Sequence, residues 1–360
     1  MVGISLVAQG VAGVTLRLMA LEPAQANHAP CDVPIAAAMH SSGLCGRSLV
    51  TWLTHPDIQR TDGQILSWKN PVHPGFAYPE ATALWLSWAA WRQEQQLVGP
   101  PVAATMRAAA WLHTELETSS TIGRGGSRYL FDTGLGFHAL VRAARVPGWP
   151  TPNPATLCKL SAGLDTFLDA DCPIDPAPEG EPRWSERWSG HLVRSAALVL
   201  RAGLWLDHAP TKRRAHRILD RSERIRGERP CYLHTLAYQA EGELLLSAIR
   251  PQQSVTPVHE AARRLARLQR PDGLLPGWSD RPGTAHCDTT AQAVRLWAAL
   301  DPHRYAGHIQ VALAALGRCQ RPSGGLPYLP HSQDLNTWVA LFADQALSWT
   351  RHGADPAALL

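Results

Sequence analysis

Residues 231–248 have the sequence CYLHTLAYQAEGELLLSA, in which a short turn with an aromatic and a polar residue precedes an apolar segment. Ala and Leu occupy nearly every face of that segment, which is typical of a helix packed on all sides. The pattern recurs along the chain, and each copy has one polar marker residue at the start of its apolar segment. The markers are Glu80, Asp132, His191, His234, Asp288 and Asn336, which lie 43 to 59 residues apart. This period is typical of one helical hairpin per repeat.

Apolar and amphipathic segments alternate through the chain. Buried helices are predicted at 81–91, 133–144, 192–206, 235–248, 289–300 and 337–349. Amphipathic helices are predicted at 34–54, 102–117, 154–169, 211–225, 256–269 and 303–319. No alternating pattern of a β-strand competes with this interpretation. The sequence therefore predicts an all-α fold, an (α/α)6 toroid or barrel of about twelve helices in an inner and an outer ring.

Composition and length limit the class of protein. A closed ring of repeats can carry 360 residues as one domain, which we place at 31–352, with an N-terminal extension at 1–30 and a C-terminal tail at 353–360. The net charge of +4 comes without a nucleic-acid-binding motif, so no nucleic-acid partner is expected. The seven cysteines are scattered without a CxxC pair, which favours a cytoplasmic location. No apolar stretch is long enough to predict a membrane span. The sequence leaves the oligomeric state open.

Two turns and one helix start resemble the α/α-toroid superfamily. The QRPDG turn at 269–273, followed by Trp278, resembles the turn repeat of squalene-cyclase and prenyltransferase toroids, and QRPSGG at 320–325 is a weaker copy. HCDTTA at 286–291 resembles the class II terpene cyclase signature of three aspartates followed by Thr-Ala, with only the central Asp288 present. That resemblance implies that Asp288 acts as a general acid.

A second resemblance covers roughly residues 60–350. The ordered markers YPEAT at 78–82, FDTG at 131–134, HTLAY at 234–238 and NTW at 336–338 resemble those of bacterial toroid proteins associated with polysaccharide biosynthesis. The toroid also resembles that of glucuronyl epimerases and unsaturated-uronyl hydrolases, which is an analogy of fold. These resemblances imply a glycan-modifying enzyme.

The expected fold places the functional site where the inner helices begin. Their N-termini meet on one face, and the positive ends of the helix dipoles favour anionic groups there. We expect the side chains of Glu80, Asp132, His234 and Asp288 to converge on one cavity. Together with Tyr238, one helical turn after His234, these are the candidate catalytic residues. The candidate substrate-binding residues are Tyr78, Arg128, Trp188, His191, Trp278, Tyr328 and Asn336, and Trp184 is a further candidate for stacking on a sugar ring.

Structural roles compete with these assignments. Asp132, Asp288 and Asn336 are also suitable helix N-caps, and Glu80 suits the first turn of a helix. His286 and Cys287 beside Asp288 raise the question of a metal site, but adjacent side chains diverge too far to bind one ion. We therefore predict neither a metal nor another cofactor.

The leading functional hypothesis is proton transfer on an acidic or amino-sugar glycan by a hydrolase, lyase or epimerase. A hydrolase would use carboxylates such as Glu80, Asp132 or Asp288. Elimination or epimerisation of a uronate would use His234 and a tyrosine, with Arg128 or Arg187 binding the carboxylate. One alternative is a terpenoid cyclase or prenyl-transfer relative with Asp288 as general acid. The other is a non-catalytic glycan-binding or scaffold toroid. A polar cleft with acids favours sugars, a deep apolar chamber favours isoprenoids, and a plugged ring favours a scaffold.

Overall fold

Helices account for most of the structure. The computed structural model describes residues 43–149, 152–177, 183–224 and 232–360. In chain order the helices are α1 (Gly46–Leu53), α2 (Pro79–Glu94), α3 (Val102–Ser119), α4 (Leu130–Ala143), α5 (Pro154–Leu160), α6 (Asp165–Leu168), α7 (Leu192–Trp205), α8 (Ala209–Arg224), α9 (Leu233–Ile249), α10 (Thr256–Leu268), α11 (Cys287–Leu300), α12 (Ala306–Cys319) and α13 (Thr337–His352). None of the described helices is both long and apolar enough to cross a membrane.

The helices form two concentric rings. The inner helices α2, α4, α7, α9, α11 and α13 each pack on the next, and α13 packs on α2 to close the ring. The outer helices pack against this ring through one apolar face, as α10 does with Val258, Ala261, Ala262 and Leu265. The prediction of an all-α toroid with inner and outer rings is confirmed. The extension at 1–30 and the first residues of the segment 34–54 lie outside the described residues.

A glutamine-glycine turn joins repeats at three places, namely 59–63, 269–273 and 320–324. In each turn the glutamine amide donates one hydrogen bond to the carbonyl of the glycine four residues later. It donates a second hydrogen bond to a backbone carbonyl in the neighbouring outer helix (Ala104 or His308) or just before it (Cys45). The glycine has a positive φ in all three turns. A Cβ on Gly273 would lie 2.4 Å from the carbonyl oxygen of Val311, so the turn also needs the absence of a side chain. The resemblance to toroid turn repeats thus corresponds to one repeated local structure.

Short strands lie next to the starts of the inner helices, which the sequence analysis did not predict. Three antiparallel sheets have the strand orders β2-β1-β8, β3-β4-β5 and β6-β7. The strands are β1 (Leu66–Asn70), β2 (His73–Ala77), β3 (Gly123–Arg124), β4 (Ser127–Tyr129), β5 (Ile174–Asp175), β6 (Leu275–Pro276), β7 (Ala285–His286) and β8 (Leu335–Asn336). Strands of two to five residues are too short to show the alternating pattern by which a strand is recognised in a sequence.

Threonines connect these strands to the inner helices. The hydroxyls of Thr82, Thr133 and Thr290 accept hydrogen bonds from the backbone N–H groups of Ile65, Ile122 and Leu275 respectively. Each threonine lies in the first turn of its helix, so the bond fixes the helix start against the chain segment that precedes it. The side chains at the helix starts are therefore held on a rigid frame.

The C-terminal tail fills the opposite end of the ring. Residues 353–360 continue from α13 and include a 3₁₀ turn at Pro356–Ala358, and Leu359 and Leu360 are buried. The inner-helix arginines Arg142, Arg194 and Arg201 donate hydrogen bonds to backbone carbonyls of this tail. The tail is thus part of the ring's interior, and the ring is plugged from this side.

Candidate active site

A small cavity, partly open to solvent, lies at the N-terminal ends of the inner helices. Its volume is about 140 Å³, which is below the range typical of pockets for drug-sized ligands and leaves room for about one sugar ring. It is lined by Tyr78, Glu80, Arg124, Tyr129, Phe131, Asp132, Trp184, Ser185, His191, His234, Tyr238, Tyr328 and Trp338. Aromatic rings form much of the wall, and two carboxyl groups, two imidazoles and one guanidinium line the same space.

Two carboxyl groups come from the first turns of neighbouring inner helices. Glu80 of α2 accepts a hydrogen bond of 2.8 Å at Oε1 from the hydroxyl of Tyr238. Asp132 of α4 is only 2% exposed, and its Oδ2 has no hydrogen-bond partner among the described residues. Burial, together with the negative charge of Glu80, raises the pKa of Asp132 well above its ordinary value. Asp132 therefore holds a proton at a pH where an ordinary aspartate has lost it.

A guanidinium group lies at the edge of the cavity beside these carboxyl groups. Arg124 belongs to the β3–β4 hairpin, whose turn residues Gly125 and Gly126 have positive φ values. Its guanidinium lies 4.2 Å from the ring centroid of Tyr78 and 5.5 Å from that of Tyr129. The two rings hold a positive charge at the place where an anionic ligand would enter.

His234 and Asp288 form a buried pair behind the cavity wall. Nδ1 of His234 lies 2.7 Å from Oε1 of Gln292 and 3.0 Å from Oδ2 of Asp288. Burial alone would lower the pKa of His234, but the charge and hydrogen bond of Asp288, the charge of Glu80 and the hydrogen bond of Gln292 together raise this pKa. Burial would also raise the pKa of Asp288, whereas His234 and His286 hold it well below its ordinary value. Each member of the pair therefore favours the charged form of the other, which favours a positive charge on the histidine that lines the cavity.

The position of Asp288 corrects one sequence-based expectation. Glu80, Asp132 and His234 do converge on one cavity, as the placement of the helix starts predicts. Asp288 is fully buried and does not line the cavity, and its Oδ1 accepts the backbone N–H of Thr289 at 2.7 Å. The neighbouring helix α9 projects His234 between Asp288 and the cavity. An ionised carboxylate in this position also does not fit the general acid that the terpene cyclase resemblance implies.

His191 contributes a neutral ring to the wall. Its Nδ1 lies 2.6 Å from the Ser189 hydroxyl, and its Nε2 has no hydrogen-bond partner among the described residues. Burial and the charge of His234 lower the pKa of His191 to about 3. The ring is therefore uncharged at neutral pH, and Nε2 is a buried polar atom whose hydrogen-bonding capacity is unused among the described residues. Tyr78 and Tyr328, two other predicted substrate-binding residues, also line the cavity.

Two tryptophans predicted to bind a ligand lie outside the lining. Trp188 is 5% exposed, and the guanidinium of Arg221 lies 4.3 Å from its ring centroid. The guanidinium carbon of Arg281 lies 3.7 Å from the ring centroid of Trp278, and Trp278 also packs on the ring of Tyr232. Both rings have packing partners and neither lines this cavity, so their role in stacking on a sugar stays a prediction. Trp184, which the sequence analysis also considered, does line the cavity.

Arg128 and Asn336 also lie outside the cavity lining, so their predicted binding roles stay predictions. Arg128 lies in β4, paired with Gly123 and Asp175, and neither it nor Arg187 lines the cavity. The side chain of Asn336 accepts the backbone N–H of Val339 at 3.1 Å and caps α13, which was the competing interpretation.

Sequence reasoning missed several cavity residues. Arg124 takes the place expected for Arg128, and the signal for it was the GRGG turn that precedes the Asp132 marker. Phe131 immediately precedes the marker Asp132, and Trp338 lies two residues after the marker Asn336. Tyr129 is the last residue of β4. These residues are adjacent in sequence to the predicted site, but their direction depends on the short strands.

Comparison with solved structures identifies the fold. The structure matches an unsaturated glucuronyl hydrolase specific for heparin with a TM-score of 0.62 at 12% identity, covering 87% of this chain and 96% of that one. It matches the unsaturated glucuronyl hydrolase of Bacillus sp. GL1, responsible for degradation of glycosaminoglycan, with a TM-score of 0.59 at 14% identity, covering 89% and 97%. A wild-type glycosidase matches with a TM-score of 0.58 at 15% identity, covering 90% and 98%. The fold is that of these hydrolases.

Sequence comparisons give no further assignment, because no family model and no curated protein matches this chain. The similar structures are glycan hydrolases, so they give no support to the class II cyclase signature at 286–291. Among the described residues, no three His, Cys, Asp or Glu side chains are arranged to hold a metal ion. The chemistry of the cavity has to be argued from the residues that line it.

Proposed function

We propose that this protein is a hydrolase that removes a uronate residue from the end of an acidic glycan. The observation that carries the proposal is the pair of carboxyl groups, Glu80 and Asp132, in one small cavity beside Arg124. Two carboxyl groups are what most glycoside hydrolases use, one of them as a proton donor with a raised pKa. Asp132 has such a pKa because of its burial and the charge of Glu80.

The proposed reaction assigns one proton transfer to each carboxyl group. Asp132 donates its proton to the glycosidic oxygen as the bond between that oxygen and the sugar breaks. Glu80, oriented by the Tyr238 hydroxyl, accepts a proton from the water whose oxygen bonds to the sugar. The products are the free uronate and the shortened glycan, with one water consumed. Asp132 then regains a proton, and Glu80 loses one, by exchange with solvent.

The charges around the cavity favour a carboxylate on the bound sugar. Arg124 and the protonated His234 supply two positive charges, and Nε2 of His191 is available for a hydrogen bond. The helix N-termini add partial positive charge on the same side. Because the cavity holds about one ring, the enzyme would act on a terminal residue. Two of the similar structures are named for unsaturated glucuronyl substrates, so a terminal unsaturated glucuronate is the first ligand to test.

Elimination or epimerisation fits the same residues less well. Either reaction needs a base that removes a proton from carbon, and His234 was the expected base. Asp288 raises the pKa of His234, which favours its protonated form over the free base, and the Tyr238 hydroxyl donates to Glu80. We therefore assign His234 to binding the substrate's carboxylate.

The other two alternatives are also disfavoured. A terpenoid cyclase needs a deep apolar chamber, whereas this cavity is small and contains several titratable groups. A scaffold toroid would be plugged, and the tail does fill one end of this ring. The other end keeps a cavity in which Oδ2 of Asp132 and Nε2 of His191 have no partner among the described residues, which a purely structural role does not explain.

The experiment is a hydrolysis assay on matched oligosaccharides. Disaccharides with a terminal unsaturated glucuronate, prepared by lyase digestion of chondroitin and heparin, are compared with saturated ones and with neutral disaccharides ending in glucose. Mass spectrometry in ¹⁸O-labelled water measures release of the terminal sugar and incorporation of one oxygen. We expect release of a uronate and no release of glucose.

Arg124→Met is the variant that tests recognition of the carboxylate. We expect it to raise KM for the uronate substrate with a small effect on kcat, and Arg128→Met, outside the cavity, serves as the matched control. Release of an unsaturated product without oxygen incorporation would identify a lyase and overturn the proposal. Binding of the glycans without any turnover would identify a glycan-binding toroid instead.

A further inference from the structure

The β1–β2 hairpin carries three aromatic side chains on its surface, Trp68, His73 and Phe76, which we call the aromatic platform. Trp68 and Phe76 are cross-strand partners whose ring centroids lie 6.5 Å apart with an interplanar angle of 16°. The rings of Trp68 and His73 lie 5.1 Å apart. A nearly parallel pair of large rings on a two-stranded ribbon provides a flat apolar surface.

The platform is open to solvent although its residues are apolar. Phe76 is 46% exposed, His73 is exposed and Trp68 is half-buried. The third strand of this sheet, β8, has only two residues. An exposed aromatic pair is unusual on a surface that has no ligand to bind.

The platform adjoins the cavity on both sides of the hairpin. Phe76 precedes the cavity residue Tyr78 by two positions of extended chain, which span roughly 7 Å. Trp68 pairs with Asn336 of β8, and Asn336 precedes the cavity residue Trp338 by two positions. A chain that leaves the cavity between Tyr78 and Trp338 would therefore pass over this hairpin.

The hairpin is fixed to the ring. The hydroxyl of Thr337 in α13 donates to the carbonyl of Leu66, and Asn70 donates to Asp334 at 2.8 Å. Lys69, on the strand between them, forms an ion pair with Asp57. The platform is thus held in place before a ligand binds, so binding does not have to order it.

We propose that the aromatic platform is a second sugar-binding site, which stacks on the residue next to the one held in the cavity. This rests on the proposed function, because the platform's ligand is the remainder of the glycan whose end enters the cavity. The apolar face of a sugar ring suits a flat aromatic surface, and the platform has no carboxylate, lysine or arginine among its three members. The platform would therefore contribute to the binding of oligosaccharides and leave the chemical step unchanged.

The test varies the substrate's length with the terminal residue held constant. The substrates are the methyl glycoside of unsaturated glucuronate and the unsaturated chondroitin disaccharide and tetrasaccharide. The variants are Phe76→Ser, the conservative Phe76→Tyr, and Val72→Ser, which changes an exposed apolar residue at the tip of the same hairpin. For Phe76→Ser we expect KM for the two oligosaccharides to rise roughly fivefold to tenfold, with kcat unchanged and the methyl glycoside unaffected. The KM of Phe76→Tyr for the oligosaccharides should stay close to that of the wild type, and Val72→Ser should not change this KM.

A binding experiment separates failure of this inference from failure of the proposed function. Saturated chondroitin tetrasaccharide is titrated into the same variants and followed by calorimetry. If no substrate is hydrolysed but Phe76→Ser weakens this binding, the proposed function fails and the second site stands. If the oligosaccharides are hydrolysed and Phe76→Ser changes neither KM nor binding, the second site is wrong. A change from dimer to monomer in Phe76→Ser, without a change in binding, would assign the platform to contact between copies of the chain and would also overturn it.

Discussion

The two ends of the ring both contain buried charged groups, but they differ in how those groups are satisfied. At the end filled by the tail, Glu241 binds Arg194 and Arg295, and the arginines also reach tail carbonyls and the amide oxygen of Gln345. At the open end, Asp132 is held among aromatic rings with one carboxyl oxygen unpartnered in the described part of the chain. At the tail end the charged groups bind one another and the tail, whereas at the open end the charged groups line a cavity.

The comparison shows that burial of a charged residue does not by itself indicate function. At the tail end the arginine charges are paired with Glu241, although Nε of Arg194 and Nε of Arg295 have no hydrogen-bond partner among the described residues, and removing Glu241 leaves those charges without compensation. A buried carboxyl group with a raised pKa and an open side has a proton to give. The tail end and the open end should therefore respond differently to the same kind of substitution.

Asp132→Asn should have the largest effect on activity. It removes the proton donor with almost no change in size, so we expect the rate to fall by about 10²- to 10⁴-fold. Stability at neutral pH should be unchanged or slightly higher, because burial already opposes the charged form of Asp132. Steady-state kinetics on the uronate substrate and chemical denaturation measure the two quantities.

Asp344→Asn is the matched control for Asp132→Asn. Asp344 is also buried and its pKa is also raised by burial, but it binds Trp88 at 2.8 Å and Arg92 at 2.6 Å, away from the cavity. We expect it to lower stability and to leave kcat unchanged. Equal losses of activity in the two variants would contradict the assignment of Asp132 as proton donor.

Glu241→Gln should show the opposite pattern at the plugged end. It leaves Arg194 and Arg295 buried without a negative partner, so we expect a loss of about 3–5 kcal/mol in the free energy of unfolding. The folded variant should keep its activity. Glu94→Gln is the milder control, because the Glu94 side chain is about one-third exposed where it pairs with Arg142. A Glu241→Gln variant as stable as the wild type would show that the charges at this end are not coupled as described.

Asp288→Asn should have a smaller effect on rate than Asp132→Asn. The asparagine can still accept the backbone N–H of Thr289, so melting should stay near that of the wild type. The pKa of His234 should fall, because Asp288 is the group that raises it. In the wild type, protonation of His234 stabilises the folded protein fully below pH 6.5, and this stabilisation is lost as the pH rises through the raised pKa of His234. The variant should lack this pH dependence of stability. NMR titration of the imidazole checks this, and an unchanged His234 titration would contradict it.

The falling limb of the pH profile of kcat/KM should shift in a defined direction in an Arg124 variant, and this is a smaller effect than the losses above. Activity requires protonated Asp132, so it should fall as the pH rises through the raised pKa of that residue. Arg124 opposes this raised pKa, so Arg124→Met should move the falling limb to higher pH. Arg124→Lys, which keeps the charge, should leave it nearly in place. A shift to lower pH in Arg124→Met would show that another group controls the limb.

Most of the fold could be predicted from the sequence because its signal is repeated. Each inner helix, for example α9 with its Ala and Leu on nearly every face, carries the same marker and the same period, and all six begin within three residues of the predicted start. The tail could not be predicted as a plug. Residues 353–360 have no repeat and little periodicity, and their burial depends on arginines that are distant in sequence.

The site could be predicted to the level of helix starts but not of side-chain direction. Glu80, Asp132 and His234 reach the cavity because a position in the first helical turn fixes their direction closely. Arg124 and Arg128 lie four residues apart on one hairpin, and only the short β3–β4 pairing decides which of them faces the cavity. Asp288 was assigned to the cavity from its helix position alone, whereas the larger side chain of His234 on the neighbouring helix lies in front of it.

The central claim is that the open end of the ring holds a reactive proton on Asp132, and NMR titration of that carboxyl group tests it most directly. Carbon-13 spectra of aspartate carboxyl groups, assigned by the signal missing in Asp132→Asn, give the pKa in the wild type and in Glu80→Gln. We expect a wild-type pKa well above the ordinary value of about 3.9 and a lower one in Glu80→Gln, because the charge of Glu80 contributes to the shift. An ordinary pKa for Asp132 in the wild type, unchanged by Glu80→Gln, would contradict the account.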